Sequence, residues 1–378
     1  MLSINNRAHT QCSRFFVTRT RHIENKWDGI IYSMKTLKDL AKKNLTGKVC
    51  LLRVDFNVES TKDALRLEAS LPTMKWLLAK GARLVILSHR GRPQISSKYK
   101  VLSSKYWDPK LSLRGFIPFL RKNLREQVIF LNDIPDKLPK GGVILLENLR
   151  FWPEEERDDV KFARRLASLG DFYVNDAFAV CHRKNSSVTQ LPKLLPSYAG
   201  LLLEKEIKTL STAMSNPKKP LLLIFGGSKV ADKLPVIKNL LSKADKVLIG
   251  SSVLNGPDPL PESEKLVKPI DWMKKDNLAL DIGPLTAEAY VKEIKKAKTI
   301  IWNGPVGKFE DKRYIIGSRI LAKAVAASKA FSIIGGGETT QLILSLGLRK
   351  KISFLSTGGG AMLEFLAGEV LPGIKVLE

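Results

Sequence analysis

The chain has 378 residues, 44% of them hydrophobic, and a formal net charge of +26. That apolar fraction excludes global disorder, and the length is enough for two domains of ordinary size. No uninterrupted apolar run is long enough to span a bilayer, so no membrane partner is expected.

Three cysteines, Cys12, Cys50 and Cys181, are too few and too far apart for a metal site or a disulfide framework. A reducing compartment is the simple reading. The positive charge is spread along the chain, often on polar helix faces such as "KEIKKAK" (Lys292 to Lys298). No basic block is interleaved with aromatics, as a single-strand binder would need. The charge therefore reads as a solvated basic surface, with phosphate polyanions as secondary partners and no specific nucleic acid.

Taken in order, residues 1–23 carry four arginines and no acid. An Arg-rich, acid-poor leader fits an organelle transit peptide, but an upstream start or a flexible extension is the simpler reading of 1–33. A fresh start comes at "MKTLKDL" (Met34 to Leu40). From Lys48, short apolar runs alternate with amphipathic stretches. "KVCLLRVDF", "ARLVILSHR", "GVILLENLR" and "DFYVNDAF" read as strands, with helices such as "SLPTMKWLLAK" and "VKFARRLASLG" between them. "YAGLLLEKEIKTLSTAM" (Tyr198 to Met214) reads as a crossing helix. Beyond it "PLLLIFGGS", "KVLIGSS", "NLALDIG", "KTIIWNGP", "FSIIGGG" and "KISFLSTGGG" repeat the strand scheme.

Continuous apolar strands alternating with helices imply parallel sheets covered on both faces. The fold expected is α/β: two doubly wound, Rossmann-like domains facing a cleft and joined by an interdomain helix. The boundaries expected are an anion-binding domain at 34–197, the helix at 198–216 and a nucleotide-type domain at 217–361. Residues 362–378 are expected to return to the first domain.

In such folds ligands sit beyond the carboxyl ends of the strands. In the first half those ends carry Arg53, Asp55 and Asn57, then His89, Arg90 and Arg92, then Arg150 and Arg183. Several guanidinium groups converging from separate strands suit a small, multiply anionic ligand. In the second half the ends carry glycines instead: "FGGSKVADK", "IIGGGETT" and "STGGGAMLE". Glycine lets a backbone approach a ligand, and the helix that follows offers free N–H groups. Three such turns, with Lys229 and Lys233 beside the first, favour a polyphosphate such as a nucleotide. No Walker A pattern is present. The two halves together suggest phosphoryl transfer across a cleft.

At these same residues the chain resembles phosphoglycerate kinases. The match runs from about Met34 to Glu378 and includes "RVDFNV", "RLEASLPT", "SHRGRP", "LLENLRF", "NDAF", "GGSKVADK", "LDIGP", "WNGPVGKFE", "GGGE" and "STGGGAMLEFL", in the family's order. The resemblance implies reversible transfer between 1,3-bisphosphoglycerate with Mg-ADP and 3-phosphoglycerate with Mg-ATP, by a cytoplasmic monomer of glycolysis. It places Asp55, Phe56, Asn57, Arg66, His89, Arg90, Gly91, Arg92, Arg150 and Arg183 around the triose. It places Gly227, Lys229, Lys233, Asn303, Pro305, Glu310, Gly336, Gly337, Glu338 and Thr339 around the nucleotide, with Glu338 at the Mg2+. Arg66 and Lys229 are the expected catalytic cations, and His182 is expected to be structural. The carboxylate acceptor is already ionised at neutral pH, so no general base is needed. A weakly active paralogue with a basic RNA- or phosphate-binding surface is the competing reading.

The chain departs from the family pattern in places. Trp152 and Asn185 stand where histidines are common, Ser251 and Ser252 where glycines are, and Glu338 where the family has Asp. The stretch from Val253 to Ala279 is short where the family has a long run of helix and strand, which puts the adenine pocket in question.

Overall fold

The computed structural model describes residues 33–59, 65–93, 107–227, 233–251, 253 and 260–378. The extension before Ser33, Lys229 and Ser252 lie outside the described residues.

The first sheet is built from β1 (Val49–Arg53), β2 (Arg83–Leu87), β3 (Val128–Leu131), β4 (Val143–Leu146), β5 (Phe172–Asn175) and β6 (Ser197–Ala199). Its helices include α1 (Leu65–Ala79), α2 (Ile117–Leu124) and α3 (Val160–Ala167). Then α4 (Leu201–Ser215) crosses to the second sheet: β7 (Leu221–Phe225), β8 (Lys246–Ile249), β9 (Leu266–Val267), β12 (Thr299–Asn303), β13 (Phe331–Gly335) and β14 (Phe354–Leu355). A separate ribbon pairs β10 (Trp272–Lys275) with β11 (Leu278–Ile282). The helices of this half are α5 (Leu234–Leu240), α6 (Pro284–Lys296), α7 (Ile316–Ala327), α8 (Gly337–Ser345) and α9 (Gly359–Leu366).

Both six-stranded sheets are wholly parallel, in the orders β3-β4-β2-β1-β5-β6 and β14-β13-β12-β7-β8-β9. The two expected doubly wound domains are therefore present. The interior strands β4 and β7 are buried along their whole length, as helices on both faces require. Strand order reverses at β1 in the first sheet and between β7 and β12 in the second. Those are the topological switch points, where a crevice opens.

Three details differ from the expectation. Tyr198 and Ala199 belong to β6, and the crossing helix begins at Leu201. "NLALDIG" forms β11 of the antiparallel ribbon, not a strand of the parallel sheet. Strands β3, β6, β9 and β10 were not expected. They are short edge or ribbon strands of two to four residues, too brief for a periodic signal.

Helix α4 fastens the halves together. Leu203, Ile207 and Leu210 are buried in one apolar cluster that also holds Leu51 and Val85 of the first sheet and Leu221 and Leu223 of the second. Burying each such side chain is worth about 2 kcal/mol. The chain end returns to the first domain: Gly373 N donates to Cys181 O at 2.8 Å, and Lys35 N donates to Leu377 O at 3.3 Å.

Candidate active site

A cleft of about 810 Å³ opens between the domains. Asp55, Asn57, Arg66, His89, Gly91, Arg92, Arg150 and Arg183 line one wall, and Gly337, Gly359 and Gly360 stand on the other. Three strand-end arginines, Arg92, Arg150 and Arg183, thus meet in one space, as their positions in sequence suggested, and Arg66 joins them from the start of α1. Arg66, from the first turn of α1, pairs with Asp55 Oδ2 at 3.0 Å and donates to Asn57 O at 3.1 Å. Asn57 Oδ1 accepts from Gly91 N at 2.8 Å, which ties the end of β1 to the end of β2. Arg150 donates to Gly91 O at 2.7 Å and pairs with Glu156 at 3.2 Å.

Burial sets the protonation of this wall. His89 is 2% exposed, and desolvation holds its pKa well below the usual imidazole range, helped by Arg53, Arg150, Arg66 and Arg183. It is therefore neutral. Arg53 lies 3.2 Å from His89 Nδ1 and has only protons to give, so Nδ1 accepts and the ring proton sits on Nε2. Arg150 is lowered to about 10 by burial first and by its arginine neighbours, and it stays charged at neutral pH.

Two of the residues placed around the triose, Phe56 and Arg90, do not line the cleft, and of those placed around the nucleotide only Gly337 does among the described residues. Phe56 is fully buried against Phe116, with ring centroids 5.5 Å apart. Its backbone N–H is spent on Ser88 Oγ at 2.9 Å. Arg90 turns the other way: its guanidinium donates to Val58 O at 3.1 Å and lies 5.3 Å from the Phe116 ring centroid. It braces the loop and does not line the cleft. Arg53 is buried beneath the wall, on Ser187 Oγ at 2.9 Å and on His89, so it positions the histidine. Sequence reasoning set His182 aside, yet it lines the cleft, with a pKa lowered to about 4 chiefly by burial and next by Arg183. Its neighbour Arg183 was the available signal. Trp152 and Asn185 are buried core residues, Trp152 against Phe162 and Asn185 on Glu155 O at 3.2 Å.

The opposite wall is made of glycine turns at the switch point. A Cβ on Gly226 would stand 2.0 Å from Pro305 O, so the turns after β7 and β12 are in backbone contact. Gly336 caps α8 at φ +92°, a conformation that favours glycine. No side chain caps α8, and its first residue, Gly337, lines the cleft, so its first N–H groups are left for water or a ligand. Asn303 Nδ2, Thr339 Oγ1 and Thr340 Oγ1 are buried there without a hydrogen-bond partner. Polar groups so placed suit a polar ligand. Lys233 is 5% exposed, and its Nζ lies 3.7 Å from the position of a Cβ on Gly227.

Glu338 is exposed in the first turn of α8. Glu310 lies in a turn between β12 and α7 and is exposed, so it is not a helix N-terminal acid. Gly358, counted among the phosphate-type glycines from sequence, packs on Phe178, and only Gly359 and Gly360 reach the cleft. Ser251 is buried, with its hydroxyl on Val306 O at 3.0 Å.

The family model for phosphoglycerate kinase matches residues 37–256 and 258–369. The chain belongs to the phosphoglycerate kinase family. A phosphoglycerate kinase of Dictyoglomus turgidum is 39% identical over 402 positions, covering 91% of this chain and 99% of the relative. One from Moorella thermoacetica is 39% identical, covering 90% and 98%. The solved phosphoglycerate kinase of Pyrococcus horikoshii superposes with a TM-score of 0.76 at 31% identity, covering 91% and 98%. That of Coxiella burnetii gives 0.74 at 33%, covering 89% and 98%. The chain is thus a phosphotransferase. The alignment to the Dictyoglomus protein is longer than this chain itself, so tens of residues of that relative have no counterpart here.

Proposed function

We propose that this chain moves a phosphoryl group reversibly between 1,3-bisphosphoglycerate with Mg-ADP and 3-phosphoglycerate with Mg-ATP, and that the residues above carry it. One observation supports this most: four arginines and a neutral histidine share a single cleft with the uncapped N-terminus of α8. Arg92, Arg150 and Arg183 hold the triose phosphate and carboxylate, Asn57 and His89 Nε2–H orient it, and Asp55 fixes Arg66. Arg66 offsets charge on the transferring group, together with Lys229. The glycine turns, Lys233, Asn303, Pro305 and Thr339 hold the nucleotide, and Glu310 reaches the ribose.

Among the described residues no group of three or more His, Cys, Asp or Glu side chains could hold a metal unaided. A lone carboxylate beside a phosphate cradle does suit Mg2+, which keeps most of its ligands from water and phosphate. Glu338 would hold it there. Bound so, Mg2+ would neutralise charge on the nucleotide phosphates. Domain closure would then align donor and acceptor and exclude water. One chain supplies both walls, which supports a monomer. Buried, unpaired Cys50 and Cys181 support a cytoplasmic setting.

A coupled assay with 3-phosphoglycerate and Mg-ATP tests the reaction, and absence of turnover in folded protein would refute it. Lys229→Ala should collapse kcat while 3-phosphoglycerate binding survives; loss of binding alone would refute its role.

A further inference from the structure

Five of the ten large apolar side chains left in solvent among the described residues lie between Ile270 and Leu285. Ile270, Leu285 and Leu278 are the most exposed of them among the described residues, at 65%, 61% and 51%. Trp272 and Met273 are exposed beside them on β10. Ile270 N donates to Thr286 Oγ1 at 2.9 Å and Leu285 N to Asp271 Oδ2 at 3.1 Å, so the first turn of α6 is fastened to the base of the ribbon. Ile270 and Leu285 are therefore neighbours at the base of the ribbon, and none of these five residues lines the cleft.

The same ribbon carries an open strand edge. All four residues of β10 are exposed, and β11 is its only strand partner among the described residues. Lys274 and Lys275 end the strand, and Lys268 precedes it. Lys274 Nζ lies 5.4 Å from the Trp272 ring centroid, so that cation stands beside the apolar face.

We propose that this ribbon is a docking surface for an extended segment of a partner protein that alternates apolar and acidic residues and adds a third strand to β10. The open edge offers main-chain donors and acceptors at strand spacing. Apolar residues of the guest cover Ile270, Trp272 and Leu285, which leaves a smaller apolar patch in water. Its carboxylates, on the guest's other face, meet Lys275, which alternates with Lys274 and Trp272 along the strand. A second copy of this chain is a poor guest, because edge-to-edge pairing would bring four lysines onto one short ribbon between chains of net charge +26. A bilayer is a poor surface too. The ribbon ends in Asp276 and Asn277, both at positive φ, so a polar turn with an acid leads it. Lipid headgroups also offer no strand to pair with the edge.

The probe is a fluorescein-labelled, end-capped peptide alternating Glu with Val and Phe, titrated with the full chain. Saturable binding is expected, with amide shifts at 272–275 in a 15N-labelled sample. Trp272→Ser and the double variant Lys274→Glu/Lys275→Glu should each weaken it at least tenfold. A peptide with Lys in place of Glu should not bind. The unfolding midpoint of each variant shows that it is folded, and Ile270→Asn repeats the test should one of them fail. The proposal is overturned if the acidic peptide does not saturate, or if the variants bind it as well as wild type does. It is equally overturned if the ribbon instead drives self-association or binding to phosphatidylserine vesicles.

Discussion

Glu206 sits fully buried in α4, where its Oε1 accepts from Thr357 N at 2.6 Å and Thr357 Oγ1 at 2.9 Å. Burial pushes its pKa up to about 7, against the opposing pull of the Thr357 hydrogen bonds. The unfolded chain ionises near 4.5. Between these values the folded state binds a proton that the unfolded state lacks, so stability falls as pH rises and levels off above 7. Over the 1.5 units from pH 5.5 to 7, at 1.36 kcal/mol per unit, this one group removes about 2 kcal/mol. Glu206→Gln keeps the acceptor for Thr357 and cannot ionise. Relative to wild type it should gain about 2 kcal/mol between pH 5.5 and 7.5, read from urea unfolding at both pH values. Asp176, raised to about 7 by burial, contributes a similar slope that survives the substitution. Equal slopes for wild type and Glu206→Gln would refute the reasoning.

Arg66→Gln should lower kcat by roughly 10²–10³, by analogy with a lost oxyanion donor; a change confined to KM would show that Arg66 only binds. Because His89 is neutral, His89→Gln should leave the shape of the pH profile for 3-phosphoglycerate binding unchanged from pH 5.5 to 8. An inflection near 6.5 in calorimetric titrations of wild type that the variant lacks would contradict this. Glu338→Asp should retain or improve Mg2+-dependent turnover, whereas Glu338→Gln should shift the Mg2+ titration to higher concentration. An unchanged titration for Glu338→Gln would assign the acid to the helix alone.

The layered fold was legible because buried parallel strands write continuous apolar runs into the chain, as in "PLLLIFGG" and "GVILLENLR". The short strands were not. β10 reads "WMKK", with no apolar run and no alternation, and only its pairing with β11 makes it a strand. Residue type at strand ends told which half carries arginines and which carries glycines, because that follows from chain order in a doubly wound sheet. It did not tell which way a side chain turns. Arg90 and Arg92 are two residues apart, yet Arg92 lines the cleft and Arg90 folds over Phe116. His182 was passed over because a single imidazole beside an arginine has no spacing rule, and its exposure to the cleft depends on α9 standing opposite.

The first two turns of the helix that links the domains are held by buried carboxylates. Asp176, at the end of β5, accepts from Leu202 N at 2.9 Å and Leu203 N at 3.3 Å, where the positive end of the α4 dipole favours an anion. One turn further on, Glu206 holds Thr357, just before the glycines that face the cleft. α1 makes a parallel link. Its Arg66 enters the cleft, its Thr73 accepts from Leu201 N at 2.9 Å, and its Glu68 pairs with Arg349 of the second domain at 2.7 Å. That last pair is half exposed and worth well under 1 kcal/mol by itself. Its position matters more than its strength. The helix that carries Arg66 also touches the linker and the second domain, so a shift of one domain against the other must move Arg66 relative to α8. On the proposed mechanism, closure and the placing of Arg66 become one coordinate, which is what a reaction limited by aligning two anions requires.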